Sequence, residues 1–114
     1  MPNDGKDFIK KLQEKLLGEY FINESGRLSA ERNALLNEEF YEEERIEIYY
    51  IDDNPDGTRF YICPEVVAKH RENMRIYRRR ISEITMLLSE IREEEDIKEK
   101  EREEARTNEK KVED

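Results

Sequence analysis

Residues 64–91, PEVVAKHRENMRIYRRRISEITMLLSEI, decide how the rest of the chain is read. Pro64 lacks the backbone N–H that the first turn of a helix leaves unpaired anyway, and Glu65 puts negative charge at the positive end of the helix dipole. A helix is predicted to start there. With Val67 taken as heptad position a, Val67, Met74, Ile81 and Leu88 fall at a, and His70, Tyr77, Ile84 and Ile91 fall at d, so seven of the eight seam positions are apolar. The 3.5-residue period predicts a coiled-coil-like helix over 64–91, roughly 40 Å long.

Immediately upstream, residues 45–63 hold two runs rich in Ile, Tyr and Phe around Asp52-Asp53-Asn54-Pro55-Asp56-Gly57-Thr58. Pro55 presets φ for a type I turn and Gly57 can adopt the left-handed conformation that closes a bulged hairpin. The expected register sets Asp52 opposite Phe60, Ile51 opposite Tyr61 and Tyr50 opposite Ile62. Ile46, Ile48, Tyr50, Phe60 and Ile62 then share a face, which is expected to be core. Asp52, Asn54, Asp56 and Gly57 also match the first half of a calcium loop, but position 12 is Cys63 where a bidentate Glu is required, so a plain turn is the reading.

Further toward the N-terminus, Phe8, Ile9, Leu12, Leu16 and Tyr20 recur at helical spacing behind the capping candidates Asn3 and Asp4, predicting a helix over about 5–18 that ends at Gly18. Ser25-Gly26 reads as a turn and Ser29 as the cap of a second helix over 29–43, with Ala34, Leu35, Phe40 and Tyr41 as its apolar stripe. The C-terminal half of that helix is crowded with Glu38, Glu39, Glu42, Glu43 and Glu44, where the dipole disfavours negative charge, so a cationic neighbour is expected. Beyond Ile91 only Ile97, Ala105 and Val112 are apolar, and residues 92–114 read as a charged helical or disordered tail. The expected fold is α+β and mostly α: a small domain over 1–91 with two N-terminal helices, a hairpin and a long helix.

Composition restricts function. Of the 114 residues, 45% are charged against about 25% usually, and 35% are hydrophobic. A net charge of −9 opposes wrapping nucleic acid with the whole surface. One cysteine, Cys63, excludes an internal disulfide framework and suits the cytoplasm, where it is expected as a small buried hydrophobe. No apolar run reaches the roughly 18 residues of a membrane span. Glutamine occurs once, at Gln13, amid abundant Glu, Lys and Arg, a bias shared by thermophile proteins and by acidic helical proteins generally.

Sites for chemistry are not apparent. Four scattered glycines form no phosphate-binding loop, no serine lies in an elbow context, and His70, the single histidine, has no ligand company in sequence. No catalytic, metal or cofactor residue is assigned, and the chain is expected to be non-enzymatic. Lys69, His70, Arg71, Arg75, Arg78, Arg79 and Arg80 form a basic zone that either pairs internally with the acidic run at 38–47 or contacts an anion or nucleic acid.

The apolar ridge is longer than the predicted head, so its seam residues Val67, Met74, Tyr77, Ile81, Ile84, Leu88 and Ile91 are expected to meet a second chain. This predicts an interaction protein, a homodimer or a binder of another protein, acting as an acidic regulator or inhibitor. The alternative is a nucleic-acid-binding transcriptional regulator using Arg71, Arg75, Arg78, Arg79 and Arg80. Its order of elements resembles that of winged-helix regulators, although the helix over 29–43 is acidic where a groove-reading helix needs basic and polar residues.

Overall fold

The computed structural model describes the backbone of residues 4–113 and the side chains of residues 4–108. Its elements are α1 (Gly5–Leu17), α2 (Glu24–Glu47), β1 (Tyr50–Asp53), β2 (Arg59–Tyr61) and α3 (Pro64–Glu113). The fold is α+β and mostly helical, with one antiparallel hairpin between two long antiparallel helices.

Helix α1 begins where the sequence places it. The Asp4 carboxylate accepts from the Lys6 N–H at 2.9 Å, and Gly18 closes the other end by donating its N–H to the Lys15 carbonyl at 3.1 Å. Asn3, the other capping candidate, lies outside the described residues.

Helix α2 departs from expectation at both ends. It starts at Glu24 because the Asn23 side chain accepts from the Gly26 N–H at 2.9 Å, so Ser25-Gly26 is the first turn of the helix and Ser29 lies inside it. It ends at Glu47 because Leu28, Leu35, Glu42 and Ile46 form one buried stripe at helical spacing. Ile46 therefore belongs to a helix, and the predicted hairpin over 45–63 contracts to 50–61.

The hairpin keeps the predicted turn and loses the predicted face. The Asn54 N–H donates to the Thr58 carbonyl at 2.7 Å, Gly57 has φ of 87°, and the Asp56 carboxylate accepts from the Thr58 N–H and hydroxyl. Asp52 opposes Phe60 as expected, but an irregularity between Tyr50 and Asp52 sets Tyr50 opposite Tyr61 instead of Ile62. Tyr49 and Tyr61 consequently pack on the core, while Ile48, Phe60 and Ile62 are exposed.

Cys63 also departs from its expected place. Exposed and at φ of 51°, it turns the end of β2 directly into α3, and its carbonyl accepts from the Val66 and Val67 N–H groups. Its conformation is dictated by that joint, not by burial.

Two apolar clusters hold the molecule together. Leu28, Leu35, Tyr77 and Ile84 form one, with Phe8, Ile9 and Leu12 of α1 packed against it; Phe8 meets Tyr77 edge-on at 5.4 Å. The other, nearer the hairpin, is Ile46, Val67 and Met74. All seven residues expected to face a second chain are thereby drawn into contact with their own: Val67, Met74, Tyr77 and Ile84 are buried, and Ile81, Leu88 and Ile91 are partly buried against the first cluster.

The expectation that this ridge outruns its head is corrected, and the cause is α2. Its 24 residues span about 36 Å, nearly the length of the ridge, whereas a helix limited to 29–43 would have left almost half uncovered.

Past Ile91 the chain stays helical, so the tail continues α3 instead of becoming irregular. Its side chains are exposed through residue 108, and Arg102 and Arg106 both reach Glu99. The molecule measures 80 × 36 × 15 Å, and the 50-residue α3 accounts for the long dimension.

Candidate interaction surface

The charged residues are organised by the packing of α2 on α3. Of the carboxylates in the second half of α2, Glu38, Glu39, Glu42, Glu43 and Glu47 each meet a cationic side chain or His70. Arg45 bridges Glu38 and Glu42, both at 2.7 Å, and Glu42 also contacts His70 Nδ1 across the helix pair. Arg78 reaches Glu39 and Glu43, and Arg59 of the hairpin holds Glu47 at 2.5 Å. The cation that the helix dipole calls for is supplied by Arg45 within α2 and by residues of α3 and β2.

The predicted basic zone divides accordingly. Arg80 is committed inward: its Nε and Nη2 donate to the two oxygens of buried Glu31 at 2.6 and 3.1 Å, a bidentate pair that raises the Arg80 pKa and keeps the guanidinium charged. Arg78 is committed to α2. Arg75 pairs with Glu72 one turn away, Arg71 lies over the Tyr61 ring at 5.2 Å, and Arg79 is exposed. Arg71, Arg75 and Arg79, at four-residue spacing, thus share an exposed stripe of α3.

Burial gives the interior polar groups fixed partners. The Asn73 side-chain oxygen, fully buried, accepts the Gly5 N–H at 2.8 Å. A methyl group on Gly5 would come within 3.2 to 3.3 Å of Asn73 and Tyr77, so a larger residue there would require α1 and α3 to part by a few tenths of an ångström. Burial, followed by the nearby carboxylates of Glu42 and Glu38, pushes the Tyr77 hydroxyl well above its ordinary pKa. His70 is likewise interior, tilted against Tyr49 and bonded to Glu42. Among the described residues, no group of three or more His, Cys, Asp and Glu side chains could hold a metal ion.

Helix α1 covers one side of the α2–α3 pair. The opposite side is open toward the hairpin end, where a groove of about 670 Å³ runs between the helices over a floor of Ile46, Tyr61 and Met74, with Phe40 at its edge. Its α2 wall is acidic, with Glu43, Glu44 and Glu47, and its α3 wall is basic, with Arg71 and Arg78. Phe40 is 57% exposed, and Leu36, one turn earlier on the same stripe, is 47% exposed. Neither was singled out from the sequence as a surface residue. The signal was the apolar arc of α2: Leu35 with Leu36, and Phe40 with Tyr41, make it wider than one buried face requires.

No helix among the described residues is long and apolar enough to cross a membrane. Comparison with known protein families, curated proteins and solved structures finds no match for this chain.

Proposed function

We propose that this chain is a non-enzymatic, cytoplasmic interaction protein whose contact surface is the open groove between α2 and α3, rimmed by Leu36 and Phe40. The observation that carries the reading is the inequality of the two sides of the helix pair. One is sealed by α1, whereas the other leaves two large apolar side chains half exposed beside an apolar floor. Clustered apolar surface with a charged rim is the ordinary anatomy of a protein contact. The absence of a nucleophile–base pair from the motifs of the sequence supports the non-enzymatic part of the reading, and the single cysteine supports a reducing compartment. The ion pairs of Arg45 with Glu38 and Glu42 are in keeping with a thermophilic source.

A photo-crosslinking aromatic amino acid placed at position 40 in the native host tests this. Tyr20, 88% exposed on the connector after α1, serves as the control position. A discrete adduct from position 40 and none from position 20 is expected; equal or absent labelling at both positions overturns the reading.

A second reading, a nucleic-acid-binding regulator, rests on the exposed stripe of Arg71, Arg75 and Arg79. It is opposed by the commitment of Arg78 and Arg80 to carboxylates and by the net charge. Duplex binding that weakens with salt and is lost on Arg71→Ala, Arg75→Ala and Arg79→Ala would favour it.

A further inference from the structure

We infer that the occupant of the groove is a second copy of this chain, related to the first by a two-fold axis running parallel to the helices. The inference rests on the reading of the groove as a contact surface and adds the identity of the partner.

The argument is one of charge and height. The two walls of the groove carry opposite signs, Glu43 and Glu47 on α2 against Arg71 and Arg78 on α3, with Arg75 beside them on the exposed stripe. A two-fold axis lying in the contact plane and crossing the helices would stack α2 on α2 and set carboxylate on carboxylate. An axis parallel to the helices instead lays α2 of each copy over α3 of the other and leaves every residue at its own height.

Heights along the open side of the pair are marked by the contacts of Arg78 with Glu39 and of Arg32 with Thr85. Stepping along the helices from these brings Glu47 within one residue of the level of Arg71, and likewise Glu43 of Arg75, Phe40 of Arg78 and Leu36 of Ser82. In the two-fold pair each of these becomes a contact between copies. Acid meets base twice on each side of the axis, the Phe40 ring lies against the Arg78 guanidinium of the second copy, and Leu36 sits over the small Ser82. The result is a four-helix arrangement of two stacked layers, neighbouring helices antiparallel, in which α1 of each copy lies on the outside. Each copy contributes −9 overall, so this local separation of signs is what permits two acidic chains to approach.

The test is charge reversal of one wall at a time in the full-length chain, read by sedimentation equilibrium. The wild-type chain is expected to dimerise. Glu43→Arg with Glu47→Arg makes both walls basic, Arg71→Glu with Arg75→Glu makes both acidic, and each double variant is expected to weaken dimerisation by at least about tenfold. Mixing the two double variants restores a dimer containing one of each. All four positions are exposed, so helicity by circular dichroism is expected to persist, and Phe40→Asp, also at an exposed position, gives an independent loss of dimer.

A strictly monomeric wild-type chain, a dimer indifferent to reversal, or failure of the mixed pair to form overturns the inference. The photo-crosslink at position 40 separates this failure from failure of the broader reading. An adduct with a different polypeptide sinks the second copy and keeps the groove, whereas no adduct sinks both.

Discussion

The two halves of α3 are one continuous helix with similar intrinsic propensity, yet they live in different solvents. From Val67 to Ile91 the helix carries an apolar residue on almost every turn of one face and is buried along it; from Arg92 to Asn108 it carries Ile97 and Ala105 among charges and touches water all round. Helix-forming residues and short-range ion pairs suffice to continue a helix already nucleated, because each added residue gains a bond without a new nucleation cost. Tertiary stability comes from the first half alone.

Substitutions along α3 should therefore fall steeply in effect. The largest is expected at Tyr77, fully buried between Phe8, Leu35 and Ile84. Tyr77→Ala should cost about 4 kcal/mol in urea unfolding. A loss independent of protein concentration marks it as core of a single chain; a loss that vanishes on dilution would return Tyr77 to an intermolecular seam.

The same side chain gives the comparison a pH dependence. The folded state raises the Tyr77 pKa above its unfolded value of about 10, so its stabilising contribution is complete below that pH and is lost as pH rises toward the folded value. Tyr77→Phe should flatten that part of the alkaline stability profile, and an unchanged slope would refute the assignment.

Next in size is Glu31→Ala. It leaves the partly buried Arg80 guanidinium with only the exposed Glu83, at 3.3 Å, and removes the oxygen that Gln13 of α1 approaches at 3.4 Å. About 2 kcal/mol is expected by chemical denaturation. A change under about 0.5 kcal/mol would place this pair with the exposed ion pairs of the tail.

How much of this was legible follows from the range of the interactions involved. The seam of α3, the turn at Asn54–Thr58, the start of α1 and the compensation of the α2 carboxylates were readable because each rests on local periodicity, turn chemistry or the helix dipole. The true start of α2 was missed because Asn23 and Ser29 are both competent caps, and only packing chooses between them. Ile46 was assigned to a strand because a short apolar run reads alike in helix and strand. Those two errors shortened α2 by nine residues, a loss that made α3 look uncovered and moved the expected contact surface onto its core seam. The open groove was illegible for the same reason, since its walls come from two helices whose relative height no sequence pattern states.

The joint between β2 and α3 gives a smaller, opposite effect. Cys63 holds φ of 51°, a conformation that costs a non-glycine residue about 1 kcal/mol or more, and its side chain is exposed. Cys63→Gly should relieve that cost and, after the greater freedom of glycine in the unfolded chain is subtracted, stabilise by about 0.5 kcal/mol in thermal unfolding. Destabilisation would show that the cysteine side chain makes a contact worth more than the strain.

The smallest effect is predicted for the tail itself. Ending the chain after Glu95 keeps one turn beyond Ile91, so Leu88 and Ile91 retain their packing and, among the described residues, only exposed side chains and intrahelical pairs are removed. Unfolding free energy should change by no more than about 0.5 kcal/mol, while the far-ultraviolet helix signal falls in proportion to the residues lost. If the two halves of α3 were energetically one body, stability would fall with the signal; their separation under this deletion is what an apolar face confined to the first half requires.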